Sequence, residues 1–206
     1  MLTSGIKLKG FNVKNKSKKL NKLFQLILEQ KNEVTKSLSK AYKYSFKKTN
    51  INKYKSFLDI RVVGMGGSTL GCQAIYDFLR DKTKKNFSFI DNLQNIKRTK
   101  TKKNVLNLII SKSGNTIETI VNTNILIKKK EKNIFITENK NNYLNKLAQN
   151  LKSEVIHHNN FIGGRFSVLS EVGMVPAELM GFSQSKFKQY NNLIKNNKFI
   201  NKLLDS

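Results

Sequence analysis

Val105-Leu106-Asn107-Leu108-Ile109-Ile110 runs without a linker into Ser111-Lys112-Ser113-Gly114-Asn115-Thr116, and a helical repeat begins at Ile117. No other stretch restricts the fold as tightly. The apolar run is long enough for one buried strand. Ile117, Ile120, Val121, Asn124, Ile125 and Lys128 then recur at helical spacing, which predicts a helix with one apolar face. A strand that turns directly into a helix leaves the first helical N–H groups unpaired. It aims them, together with the helix dipole, at the space above the turn. That space suits an anion. Ser111, Ser113 and Thr116 each offer an O–H donor to a phosphate oxygen, and Gly114 lets the backbone come close to a ligand. The competing reading is an ordinary strand-to-helix turn closed by a Ser/Thr cap.

The same grammar occurs once earlier. Asp59 to Val63 reads as a short strand, Gly64-Met65-Gly66-Gly67-Ser68-Thr69-Leu70-Gly71 as a glycine turn, and Leu70, Ala74, Ile75, Phe78 and Leu79 as the apolar face of a helix. Ser68 or Thr69 is the natural N-cap. A dinucleotide fingerprint would need glycine at position 69, where Thr stands, and no Gly-Lys-Ser/Thr follows to make a P-loop. Gly67 is read as backbone open to a ligand, so a side chain there should obstruct binding while sparing the fold. Cys72, the only cysteine, excludes an internal disulfide and reads as a small buried residue in a reducing, cytoplasmic protein.

Around these two units the pattern repeats. Phe87 to Ile90, Asn133 to Thr137 and Glu154 to Ile156 are further strands, and Tyr143 to Leu151 is a short helix. Strand alternating with helix predicts an α/β fold, a doubly wound parallel sheet flanked by helices. Ligands of such sheets sit beyond the carboxyl ends of the strands. Lys16 to about Phe46 is expected as one long helix or two short ones, and Asn50 to Phe57 as a connector. The expected organisation is a helical segment over residues 1–57, the α/β domain over 58–182 and a helical tail over 183–206. No run is long and apolar enough to predict a membrane span.

Charge bears on the choice of partner. Lys and Arg total 39 against 13 Asp and Glu, a net charge of +26, which ordinarily suggests a polyanion. Yet only Arg61, Arg80, Arg98 and Arg165 are arginines, and the lysines are spread along the chain among asparagines. A nucleic-acid surface would concentrate Arg and aromatics on one element. The charge therefore reads as solvated surface, with nucleic acid a disfavoured partner.

The last informative stretch is Phe161-Ile162-Gly163-Gly164-Arg165-Phe166-Ser167-Val168-Leu169-Ser170. Two glycines place an arginine on a loop, where its guanidinium could meet an anion or developing negative charge. An arginine capping a carbonyl is the plain alternative. A helix carrying Val168, Leu169, Val172, Val175 and Leu179 should follow, kinked or broken at Gly173 or Pro176. His157 and His158 read as the end of an exposed strand.

The glycine turn, the hydroxyl turn continued through Ile117-Glu118-Thr119, and the Gly-Gly-Arg segment resemble, in order and spacing, the motifs of the glucose-6-phosphate isomerase family. The resemblance covers Asp59 to about Gly181. It implies a sugar-isomerase (SIS) domain with a five-stranded parallel sheet, no cofactor and no metal. By the same resemblance Ser111, Ser113 and Thr116 would bind the sugar phosphate, helped by the Lys112 backbone. Gly67 and Ser68 would face the sugar, and Arg165, presented by Gly164, would steady an enediolate between glucose 6-phosphate and fructose 6-phosphate. The family moves its proton with the Glu of a downstream Gln-x-x-x-Glu segment. It opens the sugar ring with a His, supplied across a homodimer, and a C-terminal Lys. No Gln-x-x-x-Glu follows Arg165. The resemblance therefore implies the N-terminal part of a longer isomerase, homodimeric at full length and inactive as this piece. A sugar-phosphate-sensing SIS module without catalysis is the alternative, although a sensor has no use for an enediolate partner.

Overall fold

The computed structural model describes residues 18–29, 32–93, 104–128 and 130–188. They fall into two compact units, one made of residues up to Tyr42 together with those from Ser185 onward, the other Lys43–Gln184. In the first, α1 (Lys18–Glu29) and α2 (Glu33–Ser37) are separate helices, the shorter of the two alternatives read from the sequence. Asn32 opens α2 by accepting the Thr35 N–H at 2.8 Å, a side-chain cap on an otherwise orphan donor. Of the helical tail expected over 183–206 the described part is a 3-10 helix, Gln184–Lys188; its remainder, like residues 94–103, lies outside the described residues.

The second unit begins with α3 (Lys48–Asn52), a short helix where the sequence suggested only a connector. Ile51 is fully buried on it, and Tyr54 just after donates its hydroxyl to Glu154 at 2.8 Å. Tertiary anchoring thus makes a helix of a segment with no periodicity of its own.

Five strands follow: β1 (Asp59–Gly64), β2 (Asn86–Ile90), β3 (Val105–Ile110), β4 (Lys132–Thr137) and β5 (Glu154–His157). They form one all-parallel sheet in the order β2-β1-β3-β4-β5. Helices α4 (Leu70–Phe78), α5 (Ile117–Leu126), α6 (Tyr143–Asn150) and α7 (Glu171–Met180) flank it. This is the doubly wound α/β fold expected. Every residue of β3 is buried, as a central strand covered on both faces must be. On one face Ile109, Phe135, Leu144 and Ala148 form a core that Ile120, Ile127, Leu147, Leu151 and Val155 complete. On the other, Tyr76 of α4 packs its ring against Phe87 and Phe89 of β2.

The α5 reading needs correction. Ile117 is 70% exposed and Ile125 42%, while Thr119, Asn122 and Thr123 are buried. Apolar residues occur on several sides of this helix, and three polar ones are turned inward: Asn122 donates to the Asn92 carbonyl at 3.0 Å, while the Thr119 and Thr123 hydroxyls have no hydrogen-bond partner among the described residues. A polar rung crosses the sheet: Arg61, Asn107 and Asn133 stand in register on β1, β3 and β4. Asn107 accepts from Arg61 at 3.1 Å and donates to Asn133 at 2.9 Å and to Glu131 at 2.8 Å. Arg61 also donates to the Leu126 carbonyl at the end of α5.

The sheet order fixes where a ligand belongs. From β1 the chain winds outward to β2, and from β3 outward to β5, so the direction reverses between β1 and β3. In open α/β sheets the crevice beyond the carboxyl ends at that reversal receives ligands. Gly64 and Ile110, the last residues of the two strands, are register partners. The glycine turn and the hydroxyl turn therefore start side by side at this point. None of the described helices is long and apolar enough to cross a membrane.

Candidate functional site

In the hydroxyl turn the side chains converge. Ser111 Oγ lies 2.9 Å from Thr116 Oγ1, and Ser113 Oγ lies 3.5 Å from the same atom. Ser111 Oγ also accepts the Gly114 N–H at 3.2 Å. Ser111 is buried, Thr116 half-buried and Ser113 exposed, so the cluster runs from the sheet edge out to solvent. Thr116 occupies the N-cap position of α5 but makes no side-chain cap bond. Its hydroxyl is engaged with the serines, leaving the first α5 amides without a side-chain acceptor. The plain Ser/Thr-cap reading does not describe this arrangement.

Surrounding elements hold the turn rigidly. Glu138 N–H and Thr137 Oγ1 both donate to the Lys112 carbonyl, at 3.0 and 3.2 Å. Leu144 N–H donates to the Gly114 carbonyl at 3.1 Å, and Tyr143 N–H to Asn115 Oδ1 at 2.9 Å. Gly114 has φ +67°, and a Cβ there would collide with the Asn142 side chain. Asn142 in turn donates to Thr137 Oγ1 at 3.2 Å and caps α6 by accepting the Asn145 N–H. Sequence reasoning passed over Thr137, Glu138 and Asn142. The available signal was an Asx residue directly before the apolar positions of α6, an N-cap signature.

The glycine turn forms a short 3-10 helix, Gly66–Ser68, before α4. Thr69 takes the N-cap position, yet its hydroxyl donates back to the Gly66 carbonyl at 3.2 Å rather than accepting a helical N–H. Ser68 is half-buried. Gly67 has a packing reason that the sequence did not reveal: a Cβ built on it would strike the Gly164 carbonyl group. The expectation that a side chain at Gly67 would spare the fold is therefore wrong, because the first atoms it meets are main chain. Gly71 and Gly173 bed the same segment from two other sides. A Cβ on Gly71 would come within 2.8 Å of Val168 Cγ2, and one on Gly173 would meet the Val168 carbonyl.

The Gly-Gly-Arg segment is a 3-10 helix, Gly164–Leu169, reached after the chain leaves β5 and returns to β1, three strand spacings or about 14 Å away. Ser167 Oγ donates to the Gly164 carbonyl at 2.7 Å and to the Gly67 carbonyl at 3.4 Å. The break expected at Gly173 or Pro176 falls instead at Ser170, which is extended at φ −91°, ψ −166°. Both Gly173 and Pro176 lie within α7, all of whose residues are buried. Arg165 is exposed. It is not engaged as a carbonyl cap by any described hydrogen bond.

His157 is exposed, as read from sequence, but His158 is not: it is 3% exposed. Its N–H donates to the Thr137 carbonyl at 2.8 Å, and its ring Nδ1 lies 2.8 Å from the Asn159 carbonyl. A carbonyl can only accept, so Nδ1 carries the hydrogen. Burial holds this imidazole below its ordinary pKa. Cys72 is fully buried, and burial pushes its thiol well above the usual range. Among the described residues no group of three or more His, Cys, Asp or Glu could hold a metal ion.

Comparison with known proteins gives a consistent picture. The sequence model described as "Phosphoglucose isomerase" matches residues 27–203. The glucose-6-phosphate isomerase of Methanocaldococcus jannaschii is 35% identical over 153 residues, covering 66% of this chain and 37% of the relative. That of Borreliella afzelii is 30% identical over 182 residues, covering 79% and 33% respectively. The chain thus spans about a third of the length of the curated relatives it matches. Among solved structures, a hypothetical protein from Thermus thermophilus superposes with a TM-score of 0.67 at 18% identity, covering 90% of this chain and 50% of that one. The tagatose-6-phosphate ketose/aldose isomerase of Escherichia coli superposes at 0.52 with 16% identity, covering 68% and 43%. At these identities the superpositions establish the fold alone.

Proposed function

This chain belongs to the phosphoglucose isomerase family, and on that footing we propose that it supplies the sugar-phosphate grip of an aldose–ketose isomerase interconverting glucose 6-phosphate and fructose 6-phosphate. The observation that carries this reading is the meeting of loops at the carboxyl edge. The hydroxyl turn starts beside the glycine turn at the β1/β3 reversal, and the glycine turn touches Gly164, next to Arg165.

The chemistry follows from the donors. A phosphate above the hydroxyl turn accepts from Ser111, Ser113 and Thr116 and from the first amides of α5, where the helix dipole favours its charge. The Lys112 backbone belongs to the same cradle. Gly67 and Ser68 then face the sugar. When a proton leaves C2, negative charge develops on the carbonyl oxygen. An arginine held on a well-bedded loop is preorganised to stabilise that charge. The groups that move the proton and open the ring are, by family resemblance, a Glu, a His and a Lys that none of the matched segments here contains. The His would come from a second subunit of a homodimer in the cytoplasm.

Titration of glucose 6-phosphate, inorganic phosphate and glucose by calorimetry or NMR tests the grip. Binding of the two phosphates with little affinity for glucose supports it. Glucose binding as tightly as its phosphate would take the anion out of the reading.

A further inference from the structure

Lys112 is the only cationic side chain within the hydroxyl turn, placed between Ser111 and Ser113. Its ammonium does not stand free for an anion: Nζ is 3.3 Å from Glu138 Oε1. The second carboxylate oxygen, Oε2, is 2.9 Å from Lys140 Nζ. The Glu138 side chain is only 8% exposed, against 30% for Lys112 and 63% for Lys140. Main chain reinforces the pairing, since the Glu138 N–H donates to the Lys112 carbonyl. The Glu138 carbonyl accepts from Asn145 Nδ2 at 2.9 Å, so the residue is fixed to α6 as well. Burial works to raise the Glu138 carboxyl, but hydrogen bonds from Lys140 and Lys112 outweigh it and hold the group below its ordinary range. At neutral pH it therefore carries a full negative charge beside the phosphate turn.

We propose that Glu138 is a positioning residue that holds the Lys112 ammonium away from the anion site and thereby limits how tightly the turn grips a phosphate. The inference rests on the reading of the hydroxyl turn as a phosphate site. With the ammonium engaged, the grip falls to hydroxyls and amides, which recognise phosphate by direction. A lysine is a compact point charge on a flexible stem, and it would add strength to any dianion with little regard to shape. Restraining it favours release of a phosphorylated product over tight retention.

The consequence has a sign that a merely structural role would not give. Glu138→Gln keeps the shape and removes the charge, freeing Lys112 to turn toward the ligand. Inorganic phosphate and glucose 6-phosphate should bind about three- to tenfold tighter, the scale of a partly exposed ion pair. The gain should fade as salt is raised from about 50 to about 500 mM. Lys112→Met in the Glu138→Gln background should cancel it. Glu138→Asp, which shortens the reach by one methylene, should give a smaller gain and serves if the Gln variant folds poorly. Tighter binding that Lys112→Met cancels supports the proposal. Weaker or unchanged binding, or a gain that survives Lys112→Met, overturns it. The phosphate reading itself is judged separately, on whether the parent binds these phosphates at all and whether Thr116→Val weakens them. A parent that binds neither defeats both.

Discussion

Gly67 and Gly164 meet main chain to main chain, with the Gly164 carbonyl group in the place a Cβ on Gly67 would take. Ser167 Oγ bridges the two by donating to both carbonyls. The loop carrying Arg165 is thus seated directly on the turn beyond β1. Gly67→Ala should destabilise the protein by about 1–3 kcal/mol, the usual cost of forcing extra atoms into closed packing. Chemical denaturation measures it. The neighbour Gly66 makes a useful contrast: nothing lies within 4 Å of its missing Cβ, and its φ of +54° is the only penalty. Gly66→Ala should cost about 1 kcal/mol, an αL penalty alone. Equal losses at both positions would remove Gly164 from the explanation.

Thr116→Val should weaken glucose 6-phosphate binding by about 1–3 kcal/mol, the range for leaving charged oxygens short of a donor. Thr116 Oγ1 is the common neighbour of Ser111 and Ser113, so its loss also removes the atom that gathers the other two hydroxyls. Isothermal titration provides the comparison. Identical affinities in the two proteins would move the phosphate elsewhere.

The rung across the sheet is expected to be sensitive at its centre. Asn107 holds Arg61 with its carbonyl oxygen and Glu131 and Asn133 with its amide. Asn107→Leu would leave a half-buried guanidinium and a carboxylate without their partner. A loss of about 2–3 kcal/mol is expected, since charged groups stripped of a partner bear most of the cost. Urea unfolding reads it directly, and a loss below about 0.5 kcal/mol, the low end for a hydrogen bond, would mean that Arg61 and Glu131 re-pair without Asn107.

Thr123 carries the opposite expectation. It is 1% exposed on α5, and its hydroxyl has no hydrogen-bond partner among the described residues. Thr123→Val keeps the branched shape and removes an unsatisfied group. Stability should rise by about 1 kcal/mol, which for a chain of this size raises the midpoint of thermal unfolding by roughly 2–4 °C. Scanning calorimetry would show it; a lower midpoint would reveal a partner for that hydroxyl.

These positions also show where sequence reading reaches its limit. Short apolar runs alternating with helical segments gave all five strands and the parallel sheet, most plainly at the central β3, where a strand covered on both faces writes an almost continuous hydrophobic run. The hydroxyl cluster was legible because its members all fall within one short turn of the chain. What escaped depends on approaches between distant residues. Gly67 is a ligand glycine on its own and a packing glycine once Gly164 lies on it. His158 reads as exposed beside His157, yet just past the end of β5 it is buried, with its N–H bonded to the Thr137 carbonyl of β4. The inward face of α5 was misjudged because apolar residues lie on several sides of that helix, so its periodicity alone does not choose the buried side. Glu138 carried no local signal whatever: its meaning is the lysine that the fold sets opposite it.

The 206-residue chain by itself should bind glucose 6-phosphate and produce no fructose 6-phosphate above background. Isomerisation needs a base within reach of the C2 proton, and general-base catalysis is typically worth ~10²–10⁴ in rate. Apart from Glu118, the described acidic and imidazole groups nearest the site have other duties. Glu138 is paired with Lys112 and Lys140. Glu171 is 1% exposed and accepts the Ser45 N–H at 3.1 Å, and Glu178 accepts the Gln184 N–H at 3.1 Å. His158 is buried, with its Nδ1 hydrogen committed to the Asn159 carbonyl. The hydroxyl turn and Arg165 can hold the substrate and offset charge, but neither can carry a proton between two carbons. A coupled assay with glucose 6-phosphate as the only substrate decides the point. Sustained turnover would overturn the argument and make Glu118, half-buried in the first turn of α5, or Glu171 the candidate base, and loss of that turnover in Glu118→Gln or Glu171→Gln would identify which.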